Sequence, residues 1–379
     1  MMNEKDIKEF YKKNKSYCAM PFKEIYGDNA GRYKLCCHAQ PMDWKYTTKN
    51  TAPFDFFLSP EMEKIRNKML AGEKINACSV CYKLEETGES YRTGKYAKKY
   101  GVDIEHNKIG LKLRINGSFC NLGCYMCHPY NSSTRRNELK KVFNNPMHQY
   151  VDKDIEKPLS FKEWNNTVDN VIKNIDKVTY MNITGGEPLQ LPGQYKLLDR
   201  IPKEHAKHIK LSYDTNLTEL SYKKWSIFDY VDKFEELKLG VSCDHYGKKE
   251  EWIRYPIDIK KFENNLVKAK SLISKLNCTV SLLNIFDLKE IYNYYMDKFG
   301  LNTTFMNIVR GPRFLSVRNL NQKDKDILLE KYKDFEDYSY IKNELLLPPS
   351  HSLDVVKNYC DKLSKHRNFD WRKLWNDRF

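Results

Sequence analysis

Residues 110–127 read GLKLRINGSFCNLGCYMC, and the fold turns on how this stretch is understood. Its first part, GLKLRIN (110–116), is a short apolar run of the kind that forms a buried strand. The run leads into three cysteines, Cys120, Cys124 and Cys127, spaced Cys-x3-Cys-x2-Cys. Three thiolates on so short a loop can hold three irons of a cubane and leave the fourth iron open to a ligand. Zinc is the competing reading, with His128 as a further donor. Tetrahedral zinc, however, usually takes its ligands in separated pairs rather than three together.

Downstream the same kind of run recurs: KVTYMNIT (177–184), IKLSYDT (209–215), LKLGVSC (237–243), CTVSLLNI (278–285) and TTFMNIV (303–309). Between the runs lie helical patterns, among them LSFKEWNNTVDNVIKNI and IDIKKFENNLVKAKSLISKL. Repeated strand–helix units imply a parallel sheet with right-handed crossovers. Six of them predict an α/β fold, a partial (β/α)6 barrel of the TIM type, with its chemistry at the C-terminal strand ends. The second strand ends in Thr184-Gly185-Gly186-Glu187-Pro188, where glycines allow backbone to approach a ligand and a carboxylate can accept from an ammonium. Asp214-Thr215-Asn216 ends the third strand, and Ser242 and Asp244 end the fourth. Arg254 follows in EEWIRYP. A capped loop would equally explain Asp214, and a surface ion pair would explain Arg254.

The cysteine spacing after the first barrel strand resembles the radical S-adenosylmethionine (SAM) superfamily, and GGEP at the next strand end agrees. The resemblance implies a [4Fe–4S] cluster on Cys120, Cys124 and Cys127 with SAM on its open iron. It implies one-electron cleavage of SAM to methionine and a 5′-deoxyadenosyl radical, which abstracts hydrogen from a substrate. It carries the SAM-binding roles over to Thr184, Gly185, Gly186 and Glu187, with Glu187 receiving the amino group. It also carries them to Asn216, Ser242 and Asp244, and to Arg254 as a holder of the carboxylate. The family usually has an aromatic residue before the third cysteine that packs on the adenine. Here that position is Met126, with Tyr125 one earlier, and either side chain can meet the ring.

The first hundred residues hold a second set: Cys18, then Gly31-x4-Cys36, then Cys78-x2-Cys81. This pattern, with the helix SPEMEKIRNKMLAGEK before CSVC, resembles the twitch domain, a shortened SPASM domain, including that of phage-encoded radical SAM proteins. RGPRFLSVRNL (310–320) shares the likeness. The resemblance implies an auxiliary [4Fe–4S] cluster, here placed before the barrel rather than after it. Cys36 is favoured over Cys37, since neighbours on a strand face opposite ways. A Cys₄ zinc site remains the alternative. The expected division is an auxiliary-cluster domain over 1–108, a barrel over 109–312 and a helical extension over 313–379.

Eleven cysteines in a reducing compartment point to metal or catalysis rather than disulfides. Cys243, Cys278 and Cys360 stand alone and read as small buried hydrophobes. The N-terminus is charged, without the apolar core of a signal peptide, and no stretch is long enough to span a membrane, so a cytoplasmic location is expected. The net charge of +15 is spread along the chain without an arginine block, as on solvated faces. The expected partners are a reductase or flavodoxin-type electron donor and a peptide or small-molecule substrate. A nucleotide or RNA substrate is the second reading, motivated by the charge. A non-enzymatic zinc protein that binds nucleic acid is the third, and it leaves GGEP unexplained.

Overall fold

A computed structural model describes residues 3–27, 32–40, 42, 51–86, 90–114, 118–145 and 161–375. Gly31 of the Gly-x4-Cys pattern, Ile115 and Asn116 at the end of the first run, and Leu159 and Ser160 lie outside them. Among the described residues ten strands form in chain order: β1 (Glu24–Gly27), β2 (Tyr33–Lys34), β3 (Ile109–Arg114), β4 (Val178–Thr184), β5 (Lys210–Thr215), β6 (Ser221–Tyr222), β7 (Trp225–Ser226), β8 (Glu236–Ser242), β9 (Ile273–Val280) and β10 (Thr303–Ile308). Strands β6 and β7 make a separate hairpin. The other eight form one sheet in the order β10-β9-β8-β5-β4-β3-β1-β2.

Every pairing in that sheet is parallel except β1 with β2. The six predicted strands are therefore present, side by side in sequence order, as an open α/β sheet that does not close among the described residues. The N-terminal segment adds two strands to the same sheet, because β1 pairs with β3 from Glu24↔Gly110 to Tyr26↔Lys112.

One boundary differs from the sequence reading. The fifth strand was expected at 278–285 but spans Ile273–Val280, so SLISKL of the supposed helix is partly strand. From Leu276 its burial alternates, with Leu276, Cys278 and Val280 inside, as a half-covered strand should. It stops at Ser281, whose N–H donates to Asn284 Oδ1 at 2.8 Å and turns the chain. GRYKLCCHA likewise yields only the two-residue strand β2, and Cys36 and Cys37 lie in the bend beyond it.

Alternation also gives the sheet two unlike faces. Met181, Ile183, Leu211, Tyr213, Leu239 and Val241 are buried under the crossover helices. The opposite face carries Lys112, Asn182, Ser212, Asp214 and Lys275, all at least partly open to solvent. Across it, Asn182 Nδ2 donates to Ser212 Oγ at 3.0 Å, and the Tyr180 and Ser212 hydroxyls lie 2.7 Å apart. A closed barrel would pack this face with apolar side chains; here it is polar and accessible. The C-terminal region forms helices over Gln322–Lys331, Tyr338–Leu345 and Leu353–Arg367. No helix among the described residues is long and apolar enough to cross a membrane.

Candidate active site

The C-terminal strand ends and the cysteine loop enclose a cleft of about 490 Å³. Cys120, Cys124, Met126 and Cys127 line it from the loop, and Thr184, Gly185, Gly186 and Glu187 from the end of β4. Asp214 and Asn216 at the end of β5, Ser242 and Asp244 at the end of β8, and Arg254 complete the sequence-predicted set. Tyr125 is the exception. It is fully buried, its hydroxyl donating to Ser281 Oγ at 2.6 Å and its ring lying 5.7 Å from that of Trp252. Met126 thus takes the cleft and Tyr125 the core.

Gly185 and Gly186 both have positive φ, 97° and 45°. A Cβ on Gly186 would stand 2.0 Å from the Phe119 carbonyl oxygen. The cysteine loop thus crosses directly over GGEP, and Glu187 N–H donates to Phe119 O at 2.7 Å. Only glycine admits both the dihedral and the contact.

Glu187 is buried. Its Oε1 accepts from Thr215 Oγ1 at 2.6 Å and Leu189 N–H at 3.1 Å, and its Oε2 from Asn216 N–H at 2.7 Å. Burial pushes its carboxyl up to about 7, while those hydrogen bonds oppose the shift. Asn216 Nδ2 in turn donates to Asn121 Oδ1 at 3.0 Å and lies 3.8 Å from Cys120 Sγ. Loop, GGEP and the Thr-Asn turn are therefore one hydrogen-bonded unit.

Asp244 and Arg254 are paired at 2.9 Å, and Asp244 Oδ1 accepts from Thr279 N–H at 2.7 Å. Arg254 Nε is buried without a hydrogen-bond partner; its nearest carboxylate oxygen, on Glu250, is 3.6 Å away. Arg114 Nε is in the same condition, and Arg114 and Arg310 line the cleft as well. Sequence reading missed these two arginines as site residues. The signal for Arg114 was its place at the end of a strand, one alternation step beyond Lys112.

The donor set suits an iron–sulfur cluster. None of the eleven cysteines is in a disulfide. Burial pushes the three loop thiols up, Cys127 to about 12; Cys124 adds to the shift of Cys120 and Cys127, and Cys127 to that of Cys120. Protein cations pull the other way, Arg254 at Cys124 and Arg135 and Arg254 at Cys127. Thiolates there are favoured by a cationic cluster core. Two unsatisfied arginine donors and a buried carboxylate around the same space fit a ligand that carries both a carboxylate and an ammonium.

In the N-terminal segment, Cys18, Cys36, Cys78 and Cys81 lie within electrostatic reach of one another. Burial raises each thiol, Cys78 to about 12, and Cys18 responds to Cys78 and Cys81, Cys36 to Cys18 and Cys81. Cys37 is exposed, with its sulfur 3.3 Å from the Tyr96 hydroxyl. Nearby, His38 stacks on Tyr91 with ring centroids 3.5 Å apart, and Arg310 of the cleft donates to the Tyr91 hydroxyl at 3.5 Å. Among the described residues, no three Cys, His, Asp or Glu side chains close on one point as ligands of a single ion do.

Residues 117–294 match the Radical SAM superfamily. No curated protein matches the chain. Among solved structures, native anSMEcpe with bound AdoMet is 19% identical, covering 62% of this chain and 62% of that one, with a TM-score of 0.42. The same protein with AdoMet and Cp18Cys peptide is 20% identical over 62% and 61%, with a TM-score of 0.42. SuiB of Streptococcus suis bound to S-adenosylmethionine is 15% identical over 76% and 61%, with a TM-score of 0.39. The chain thus spans less than two thirds of the length of each. The cysteine loop, near the start of the stretch 117–294, and GGEP, within it, both lie in the part of the chain that matches the radical SAM superfamily.

Proposed function

We propose that the protein is a radical SAM enzyme that abstracts hydrogen from a peptide or amino-acid side chain. The observation that carries this reading is a single cleft lined by all three loop cysteines, GGEP, and the ends of β5 and β8. When bound there, a [4Fe–4S] cluster carrying SAM supplies the one-electron cleavage that yields a 5′-deoxyadenosyl radical. The chain's own residues bind and orient. Cys120, Cys124 and Cys127 hold the cluster and leave one iron open. Glu187, through the remaining capacity of Oε2, receives the SAM ammonium. Arg254 offers its free Nε to the carboxylate, and Met126 packs on the adenine. Asn216, Ser242 and Asp244 stand at the strand ends where the ribose would lie.

The peptide reading is supported by the sheet's open face. Asn182, Ser212 and Asp214 give that face an amide, a hydroxyl and a carboxylate, groups that can hydrogen-bond the N–H and C=O groups of a peptide. Cys18, Cys36, Cys78 and Cys81 would hold an auxiliary cluster, which would supply a one-electron acceptor for the substrate radical. The test is anaerobic reconstitution and reduction followed by assay for 5′-deoxyadenosine. Cleavage is expected in the native sequence and absent when Cys120, Cys124 and Cys127 are all replaced by Ala; full turnover in that variant rejects the reading.

A further inference from the structure

The cysteine loop is held from behind by the C-terminal helix, more than two hundred residues away in sequence. Four backbone carbonyls of the loop each accept from a side chain. Cys120 O accepts from Thr134 Oγ1 at 2.6 Å and Leu122 O from Ser132 Oγ at 2.6 Å. Gly123 O accepts from Arg367 Nη2 at 2.7 Å. Tyr125 O accepts from Arg135 Nη2 at 2.7 Å and from the Tyr359 hydroxyl at 3.0 Å. Arg367 and Tyr359 both belong to the helix Leu353–Arg367.

Behind these contacts lies a buried ionic triad. Arg367 Nε donates to Glu138 Oε1 at 2.7 Å and its Nη2 to Glu138 Oε2 at 2.9 Å. Arg135 also donates to Glu138 Oε2. Arg367 further donates to Trp252 O, next to Ile253 and Tyr255, whose carbonyls accept from the Tyr125 and Gly123 N–H groups at 2.9 and 2.6 Å. All three triad side chains are nearly inaccessible to solvent. Two guanidiniums against one carboxylate leave an excess of one positive charge, in a low-dielectric setting where charge acts strongly.

Resting on the radical SAM reading, we infer that Arg367 is a positioning residue for the cluster: with Arg135 and Glu138 it fixes the loop's carbonyls and sets the cluster's reduction potential through the triad's excess charge. Cluster potentials follow net charge and hydrogen bonding around the sulfurs. Removing a cation disfavours the reduced, more negative cluster. Removing the carboxylate does the reverse.

The experiment is a redox titration of the full-length, reconstituted protein, following the electron paramagnetic resonance signal that changes when SAM is added. That response marks the cluster with an open iron. Arg367→Met should shift the midpoint to more negative potential, Arg367→Lys should bring most of it back, and Glu138→Gln should shift it to more positive potential. Thermal melts report whether each variant folds; if Arg367→Met does not, the Glu138→Gln shift decides. Folded variants that keep the native midpoint overturn the inference while leaving the radical SAM reading intact. A native protein that assembles no SAM-responsive cluster removes that reading itself.

Discussion

Glu187 carries two kinds of interaction that sequence cannot separate. GGEP is legible as a motif because its glycines and carboxylate sit at a strand end. The three internal hydrogen bonds on Glu187 depend on Thr215 and Asn216 from another strand. Replacing Glu187 by Ala should weaken SAM binding by roughly 1.5–3 kcal/mol, the range for a hydrogen bond to a charged group, with cluster content unchanged. Isothermal titration against iron content checks this, and equal affinity would remove Glu187 from the ligand set. Gly186 makes a sharper case. An Ala there meets the Phe119 carbonyl at 2.0 Å at a positive φ, so it should lower stability by more than about 1 kcal/mol and displace the cysteine loop. A melt unchanged from the native one would show that the loop does not cross GGEP. Tyr125 and Arg367 were not legible. One is an aromatic beside a motif, the other a basic residue in a charged helix end, KLSKHRN. Both are placed by partners far along the chain.

At the scale of elements, the six parallel strands were readable because buried strands are short apolar runs with polar ends. The fifth slipped because SLISKL continues the helical pattern before it, and only the alternation in ISKLNCTV marks the strand. The attachment of β1 beside β3 left no sequence signal, since a four-residue strand carries almost none. That attachment matters for the N-terminal cysteines. Cys36 follows β2, Cys18 precedes β1, and Cys78 and Cys81 flank the start of the helix Ser79–Leu84, so a cluster would tie the sheet edge to this helix. Small loop-rich segments commonly need such a staple. Replacing Cys78 and Cys81 by Ala should remove about four irons and lower the melting temperature, while the SAM-responsive signal persists. The complementary triple variant at 120, 124 and 127 should keep about four irons. Zinc in their place would make the site structural and end the electron-acceptor role, leaving the barrel chemistry as it stands.

For the whole molecule, the metal-free protein should show an unusual pH dependence. Glu187 and Glu250 are both buried with carboxyls pushed upward, Glu187 to about 7, by burial first and for Glu250 by the Asp244 charge next. A carboxyl whose folded pKa exceeds its unfolded value binds more protons when folded. Its contribution is full at low pH and is lost as pH rises through the folded pKa. The carboxyls of Glu24 and Glu138, held low by their lysine and arginine partners despite burial, lose their contribution only in acid, below the ordinary carboxylate range. His38, lowered to about 4 by burial and neighbouring cations, has gained its full contribution once pH exceeds the ordinary histidine value of about 6.5. Above about 6.5 the loss of the Glu187 contribution completes near its folded value of about 7 and that of Glu250 continues. The buried thiols, raised by burial, act in the same sense toward the ordinary cysteine value of about 8.5. The melting temperature of the metal-free protein should therefore fall as pH rises. The net charge of +15 works in the opposite sense, because protonating histidines toward the acid end adds self-repulsion to the compact state. Comparison with Glu187→Gln separates the two. The variant lacks the titrating proton, so its melting temperature should depend less steeply on pH even if it lies lower throughout. Parallel profiles for the two proteins would show that Glu187 is already ionised in the folded chain.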